Sequence, residues 1–408
     1  MSKSSYSIFS VLGIEIEYMI VDTQTLAIQP KSDAILQKLA GEYTNEVSLG
    51  KIAVSNELVL HVLELKNDGP CPIDEPIAQY FHEGLSKLQP MLDKEGLSLL
   101  PTAAHPWMDP HTETQRWPHG NRKIYEQYDT IFDCRGHGWS NLQSMHVNLP
   151  FANDEEFCAL HNTIRLILPL IPALAASSPF LDGKRTDFLD TRLTFYEKNQ
   201  QKISAITGLV IPEYIKTEAD YREEILKPMY QAIAPFDREN ILQEEWLNSR
   251  GAIPKFDYGA LEIRIIDSQE CPDADITIAK TIFSILKSWC DSGYYPTPPE
   301  IDTRALKALY DNTLSQGFTT TLNEGQLLEA YQLPKRSMHL RDVWSQLIER
   351  VSHMLSPKEQ TTLESILRHG NLSERLIRAC QGDYSRKTLH RVYQSLIPCL
   401  QQNQLFVS

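Results

Sequence analysis

The run Gly13-Ile14-Glu15-Ile16-Glu17-Tyr18-Met19-Ile20 constrains this chain more than any other segment. Ile14, Ile16, Tyr18 and Ile20 alternate with Gly13, Glu15 and Glu17, which is the period of a half-buried strand. A strand read over residues 8–22 puts two carboxylates side by side on one face. If that face were buried without cations, repulsion and desolvation would force at least one of them to keep its proton. The pattern alone leaves two readings open. One is a solvated acidic face; the other is a divalent metal site, because hard cations take oxygen ligands.

Three further segments carry the same kind of pattern. Residues 57–66 read as a second strand, closed by Asn67-Asp68-Gly69-Pro70. Glu57 and Glu64 are seven apart, on opposite faces of a regular strand, so both serve one cleft only through a bulge or strong twist. His146 sits between Met145 and Val147 in a strand over residues 142–150; taken alone, it reads as a satisfied core histidine. Glu262 and Arg264 repeat the i, i+2 spacing in a strand over residues 259–267, and alone they could be a surface ion pair. Together, four strands each place an acid or an imidazole in an apolar run. That is the equipment for two or three Mg²⁺ ions bridging ATP phosphates, with an arginine stabilising the transferring group.

The remaining elements are mostly helical. Residues 75–95 are amphipathic, with Pro90 expected to kink the helix near its end. A helix starting at Asn153 or Asp154 runs toward Ser177, and its prolines at 169 and 172 should kink or split it. Residues 275–289 and most of residues 300–401 also read as helix. Residues 105–140, rich in His, Trp, Gly and Pro, read as a long irregular connection of the kind that carries function. Strands and helices mix without strict βαβ alternation, which predicts an α+β fold with a largely antiparallel sheet.

Composition narrows the partners. The chain has 408 residues and a net charge of −14, which argues against nucleic acid or an anionic membrane as its main partner. The seven scattered cysteines form no CxxC pair, so a reduced compartment is expected. The polar start Met1–Tyr6 predicts no signal peptide, and the apolar stretch 164–176 is broken by Arg165, Pro169 and Pro172. A cytoplasmic location follows as the expectation. P-loop, dinucleotide-loop, HExxH and GxSxG motifs are absent from the sequence. Cys134 and His137 stand at zinc-like spacing but lack a second pair.

In order along the chain, these segments resemble the type 2 glutamate–cysteine ligases and their carboxylate–amine ligase relatives. Gly13-Ile14-Glu15-Ile16-Glu17 is similar to that family's GxExE opening, and Glu57 to Glu64 to its second acidic strand. Ser144-Met145-His146-Val147-Asn148 resembles its xHVxV strand. Ser177-Ser178-Pro179-Phe180-Leu181-Asp182-Gly183 resembles its SSPFxxG turn, followed here by Arg185 and Arg192. Asn248-Ser249-Arg250 and residues 259–267 are similar to its closing arginine and TxExRxxD segments, with Ala260 where a small hydroxyl residue is usual.

The resemblance implies a glutamine-synthetase-like catalytic fold, a curved antiparallel sheet whose concave face holds metals, ATP and substrates. It implies an ATP-dependent ligase that activates the glutamate γ-carboxylate as an acyl phosphate and joins it to an amine, cysteine being the first candidate. Mapped residue by residue, Glu15, Glu17, Glu57, Glu64, His146 and Glu262 would hold Mg²⁺, with Mn²⁺ as a substitute. Arg264 and Arg250 would contact phosphates, and Arg192 a substrate carboxylate or the nucleotide. Glu262, Arg264 and Arg250 are the catalytic candidates. The His- and aromatic-rich segments near 105–140 suggest a particular acceptor pocket. Two alternatives stay open: a ligase of the same fold with other substrates, and a non-catalytic relative that binds a nucleotide or metabolite. Residues 1–295 are expected to form the catalytic unit, with 296–408 a helical extension packed on it. A homodimer is the base-rate expectation for the assembly.

Overall fold

The computed structural model describes residues 6–407. Its ten main strands, in chain order, are β1 (Gly13–Asp22), β2 (Glu46–Ser48), β3 (Ile52–Asn56), β4 (Val62–Asn67), β5 (Leu97–Leu100), β6 (Ser144–Pro150), β7 (Phe180–Leu181), β8 (Lys184–Arg185), β9 (Ala252–Lys255) and β10 (Ala260–Asp267). Eight of them form one sheet in the order β2-β3-β4-β1-β6-β10-β9, with β5 paired to the far half of β1. Every pairing in it is antiparallel, and β7 and β8 make a separate small hairpin. The molecule is α+β, as the mixed pattern predicts.

The alternation in β1 works as written. Ile14, Ile16, Tyr18 and Ile20 are buried, while Gly13, Glu15 and Glu17 stay partly accessible. The buried face, continued by Leu63, Leu65, Val147, Leu149 and Ile263, shares one core with helices Ile77–Lys94, Asp154–Ile167 and Pro272–Trp289. Asn153 caps the second of these by accepting from the Glu156 amide at 2.9 Å. That helix breaks at a 3₁₀ turn, Leu168–Leu170, and restarts as Ile171–Ala175. The prolines at 169 and 172 cannot donate to the preceding turn, so the split falls where they stand. From Phe157 to Ala175 this apolar stretch is buried inside the fold.

Three expectations need correction. Residues 57–66 are not one strand. The chain leaves β3 at Asn56, turns through residues 57–61 and returns as β4, pairing Ser55 with Glu64. Residues 105–140 are also more ordered than an irregular connection, holding helices Pro110–Glu113, Arg122–Phe132 and His137–Ser140. In the second of these, Ile124, Tyr128 and Ile131 recur at helical spacing. The strand read from Gly259 starts one residue later. Gly259 has φ +60°, a left-handed turn conformation, and a side chain there would strike the Phe151 carbonyl.

Helices from residue 303 to 369 share the main core, those of residues 372–397 pack in a second cluster with Met19, Val21 and Leu100, and residues 321–322 pair with 338–339 in a short ladder outside the all-helical reading. The Trp344 indole donates to the Leu170 carbonyl at 3.0 Å, and Asn371 Nδ2 to that of Ala173 at 3.0 Å. The main link is ionic. Glu270, fully buried, pairs with Arg375, whose Nη1 also donates to the Phe406 carbonyl at 2.8 Å. Replacing Arg375 with Ala strands a buried carboxylate, an error that costs about 3–5 kcal/mol. Urea unfolding of Arg375→Ala is expected to show a midpoint lowered accordingly; an unchanged midpoint would show that the pair carries no net stability.

Candidate active site

Antiparallel register, not sequence proximity, assembles the site. Glu17 lies opposite Glu64, Glu15 opposite His146, and Glu262 opposite Asn148. Because side chains alternate across a strand, these pairs share one face of the sheet. Glu57 joins them because the chain reverses between it and Glu64, so no bulge or exceptional twist is needed. Its carboxyl hydrogen-bonds that of Glu64. The register slip in the β6–β10 ladder falls between Ile263 and Ile266, beside Arg264.

Two groups of ligand atoms lie within 4.8 Å of one another: Glu15, His146 and Glu262, and Glu17, Glu64 and His146. His146 stands at their junction. Its Nδ1 is 3.2 Å from Glu15 Oε2 and 3.5 Å from Glu262 Oε1, and its Nε2 is 3.0 Å from Ser144 Oγ. Ser144 fixes Glu17, donating from its amide at 2.7 Å and its hydroxyl at 3.1 Å to Oε2. Asn148 Nδ2 donates to Glu15 Oε1 at 3.2 Å. Ser55 donates to Glu64 at 2.8 Å.

The electrostatics show how costly this cluster is without counter-charge. Burial, with the charge of Glu17 behind it, pushes Glu57 up to about 8. Burial and then the charges of Glu15 and Glu57 hold Glu64 well above the carboxylate range. Burial also opposes ionisation of Glu15, but the His146 hydrogen bond and the Lys255 charge outweigh it, leaving that carboxyl well below its ordinary value. Burial lowers His146, yet its bond to Glu15 and the charges of Glu262 and Glu17 leave it raised.

Five carboxylates and one imidazole form an oxygen-rich donor set that suits Mg²⁺ or Mn²⁺. Glu57, pushed up to about 8, would give up its proton to a cation, and Glu64 is raised in the same direction. Metal affinity should therefore rise as pH rises through about 8, the value for Glu57.

The three candidate arginines are placed differently. Arg264 faces the acids, with Nε 3.0 Å from Glu262 Oε1 and Nη1 donating to the Asn248 carbonyl at 3.2 Å. Arg250 does not. Its Nε and Nη2 grip Glu213 at 2.6 and 2.7 Å, and Nη1 turns to Asn248 Oδ1 and to backbone carbonyls. Arg192 is buried, with Nε 2.5 Å from Asp267 Oδ1. Asp267 Oδ2 in turn accepts from the Ser177 amide and the Ser178 hydroxyl. Arg250 thus spends its fork on a protein carboxylate, whereas Arg192 engages Asp267 through Nε alone and keeps a buried Nη2 without a hydrogen-bond partner.

Other groups were missed. Lys255, on β9, contacts Glu262 and lies 3.7 Å from Glu15 Oε1; Lys66 is 3.5 Å from Glu64. Lys66 and Asn148 each sit two residues beyond a predicted ligand, so alternation alone would have found them. Tyr125 and Tyr128, on helix Arg122–Phe132, and Tyr196 stand over the acids: the Tyr125 hydroxyl accepts from Asn56 Nδ2 at 3.2 Å, and the other two lie in the field of Arg264.

With this geometry in view, comparison with known proteins is decisive. A family model described as glutamate–cysteine ligase family 2 matches residues 11–395. The chain belongs to this family. Solved structures of other ligases share the fold. The glutamate–cysteine ligase of Francisella tularensis, solved with AMP, superposes with a TM-score of 0.64 at 14% identity, covering 98% of this chain and 89% of that one. A Pasteurella multocida bifunctional glutathione synthetase gives 0.59 at 13% identity, covering 95% of this chain and 52% of that one. An Archaeoglobus fulgidus relative, named only as an uncharacterized protein, is 30% identical over 97% of this chain and 100% of its own length. A Corynebacterium glutamicum protein provisionally named glutamate–cysteine ligase 2 is 26% identical over 190 residues, 46% of each chain.

Proposed function

We propose that this family member is an ATP- and Mg²⁺-dependent carboxylate–amine ligase. The observation that carries the reading is the convergence of Glu15, Glu17, Glu57, Glu64, Glu262 and His146 on one sheet face, with Arg264 at its edge. In the proposed reaction a carboxylate oxygen attacks the γ-phosphorus of ATP and ADP leaves. The amine then attacks the acyl phosphate, phosphate leaves, and an amide remains. Glutamate, through its γ-carboxylate, is the first candidate acid and cysteine the first candidate amine.

Glu15, Glu17, Glu57, Glu64, Glu262 and His146 would hold two or three Mg²⁺ ions, which, when bound, offset the charge of the phosphates. Arg264 is poised to donate to the transferring phosphoryl group, where charge-assisted hydrogen bonds act most strongly in a site screened from water. Ser144 and Asn148 hold Glu17 and Glu15 in place. Arg250 positions the wall rather than touching substrate, while Arg192, whose Nη2 is unpartnered, stays the candidate for a substrate carboxylate or the nucleotide.

The aromatic cover of Tyr125, Tyr128 and Tyr196 favours a second reading, the same chemistry on a different acid–amine pair, because specificity lies in such covers rather than in the fold. One screen tests both: ADP release with pairs of carboxylates and amines, and the product identified by mass. Release that needs glutamate, Mg²⁺ and cysteine together is expected on the first reading; release with another pair supports the second. Nucleotide binding with no ADP from any pair would make the chain a non-catalytic relative.

A further inference from the structure

A cavity of about 320 Å³ opens beside helix Arg122–Phe132, and none of the catalytic acids lines it. Its lining includes Thr114, Arg116, Trp117, Arg122, Glu126 and Arg135. Three guanidinium groups around one carboxylate run against the composition of a chain with net charge −14. None of the three is firmly neutralised. Arg116 reaches Asp129 only at 3.4 Å, and Arg122 meets Glu126 in an exposed i, i+4 pair, a kind of contact that holds its partners weakly. Arg135 makes no ion pair among the described residues, its only bond being from its backbone amide to Asp133. Trp117, 1% exposed, lines the cavity as an apolar wall beside the arginines.

We propose that this cavity is a second binding site, distinct from the catalytic acids, for a small dianion: a phosphate monoester or a dicarboxylate. The donors are all N–H groups, and arginine forks match the paired oxygens of phosphate and carboxylate. The volume suits a metabolite and not a polymer. The site is joined to the catalytic face through one helix. Arg116 Nη1 donates to the Tyr125 carbonyl at 3.4 Å, while the Tyr125 hydroxyl accepts from Asn56, the neighbour of Glu57. The inference does not depend on the ligase reading, since it needs neither ATP nor metal.

Calorimetric titration at low ionic strength with inorganic phosphate, and separately with succinate, tests it. Saturable binding of at least one anion is expected, and R122A/R135A should weaken it by about tenfold or more. Glu262→Gln should leave it unchanged. Binding of phosphate alone assigns a phosphoryl ligand; binding of succinate assigns a carboxylate. Both arginines are exposed, so the double variant should keep the wild-type melting temperature. No saturable binding of either anion, binding unaltered in R122A/R135A, or binding abolished by Glu262→Gln would overturn the proposal.

Discussion

Glu262→Gln is expected to lose about three orders of magnitude in turnover while keeping its fold. The substitution preserves shape and removes one charge from the centre of the site. That carboxylate, with its side chain only 3% exposed, contacts Lys255, lies 3.0 Å from Arg264 Nε and 3.5 Å from His146 Nδ1. It is also one of three ligand atoms in the first metal group. A metal-bound phosphoryl group gains several kcal/mol of charge stabilisation. At 1.36 kcal/mol per tenfold, losing about 4 kcal/mol of it gives the stated drop. A second readout separates metal binding from chemistry. Mg²⁺ should raise the melting temperature of the wild type, because a ligand that binds only the folded state stabilises it. EDTA should reverse that rise, and Glu262→Gln should show little of it. Wild-type turnover in this variant would place the chemistry elsewhere in the molecule.

The residues behind that expectation were readable because β1, β6 and β10 alternate apolar residues with polar or charged ones. There, period-two alternation separates the apolar face from the chemical one. The hairpin carrying Glu57 and Glu64 was not readable, and the reason is physical. Leu58-Val59-Leu60-His61 contains no Gly, Pro or Asn and looks like more strand. The turn is held instead from outside: the Leu60 amide donates to the Gln115 carbonyl at 2.8 Å, and the Trp117 amide to the Leu58 carbonyl at 2.9 Å. Long-range contacts thus override local preference. Strand β9 escaped for another reason. Pro254 argues against a central strand but is tolerated on a sheet edge, which is where β9 lies. With β9 unseen, Lys255 was unseen too. Arg192 and Arg250 engage Asp267 and Glu213, 75 and 37 residues away. Local sequence does not say whether a guanidinium is free for a ligand or already engaged.

Arg264→Lys is the sharper test of which arginine works on phosphate. Lysine keeps the positive charge beside Glu262 but loses the planar fork. Arg264 Nη1 donates to the Asn248 carbonyl, Nε lies 3.0 Å from Glu262 without a hydrogen bond to it, and Nη2 makes none among the described residues. One nitrogen of the guanidinium is therefore anchored while the Nε–Nη2 edge keeps donor capacity for a ligand. A lysine cannot hold that anchor and still present a donor at the same point. If Arg264 stabilises the transferring phosphoryl group, Arg264→Lys should lose about a hundredfold and Arg264→Met about 10³–10⁵-fold, the range for arginines that act on phosphoryl transfer. Because the interaction belongs to the transition state, kcat and kcat/KM should fall together with KM little changed. The Mg²⁺-dependent rise in melting temperature should survive in both variants, since the carboxylates remain. A raised KM with unchanged kcat would make Arg264 a ground-state binding residue. Wild-type kinetics in Arg264→Lys would mean that charge alone, rather than the fork, is what the site requires.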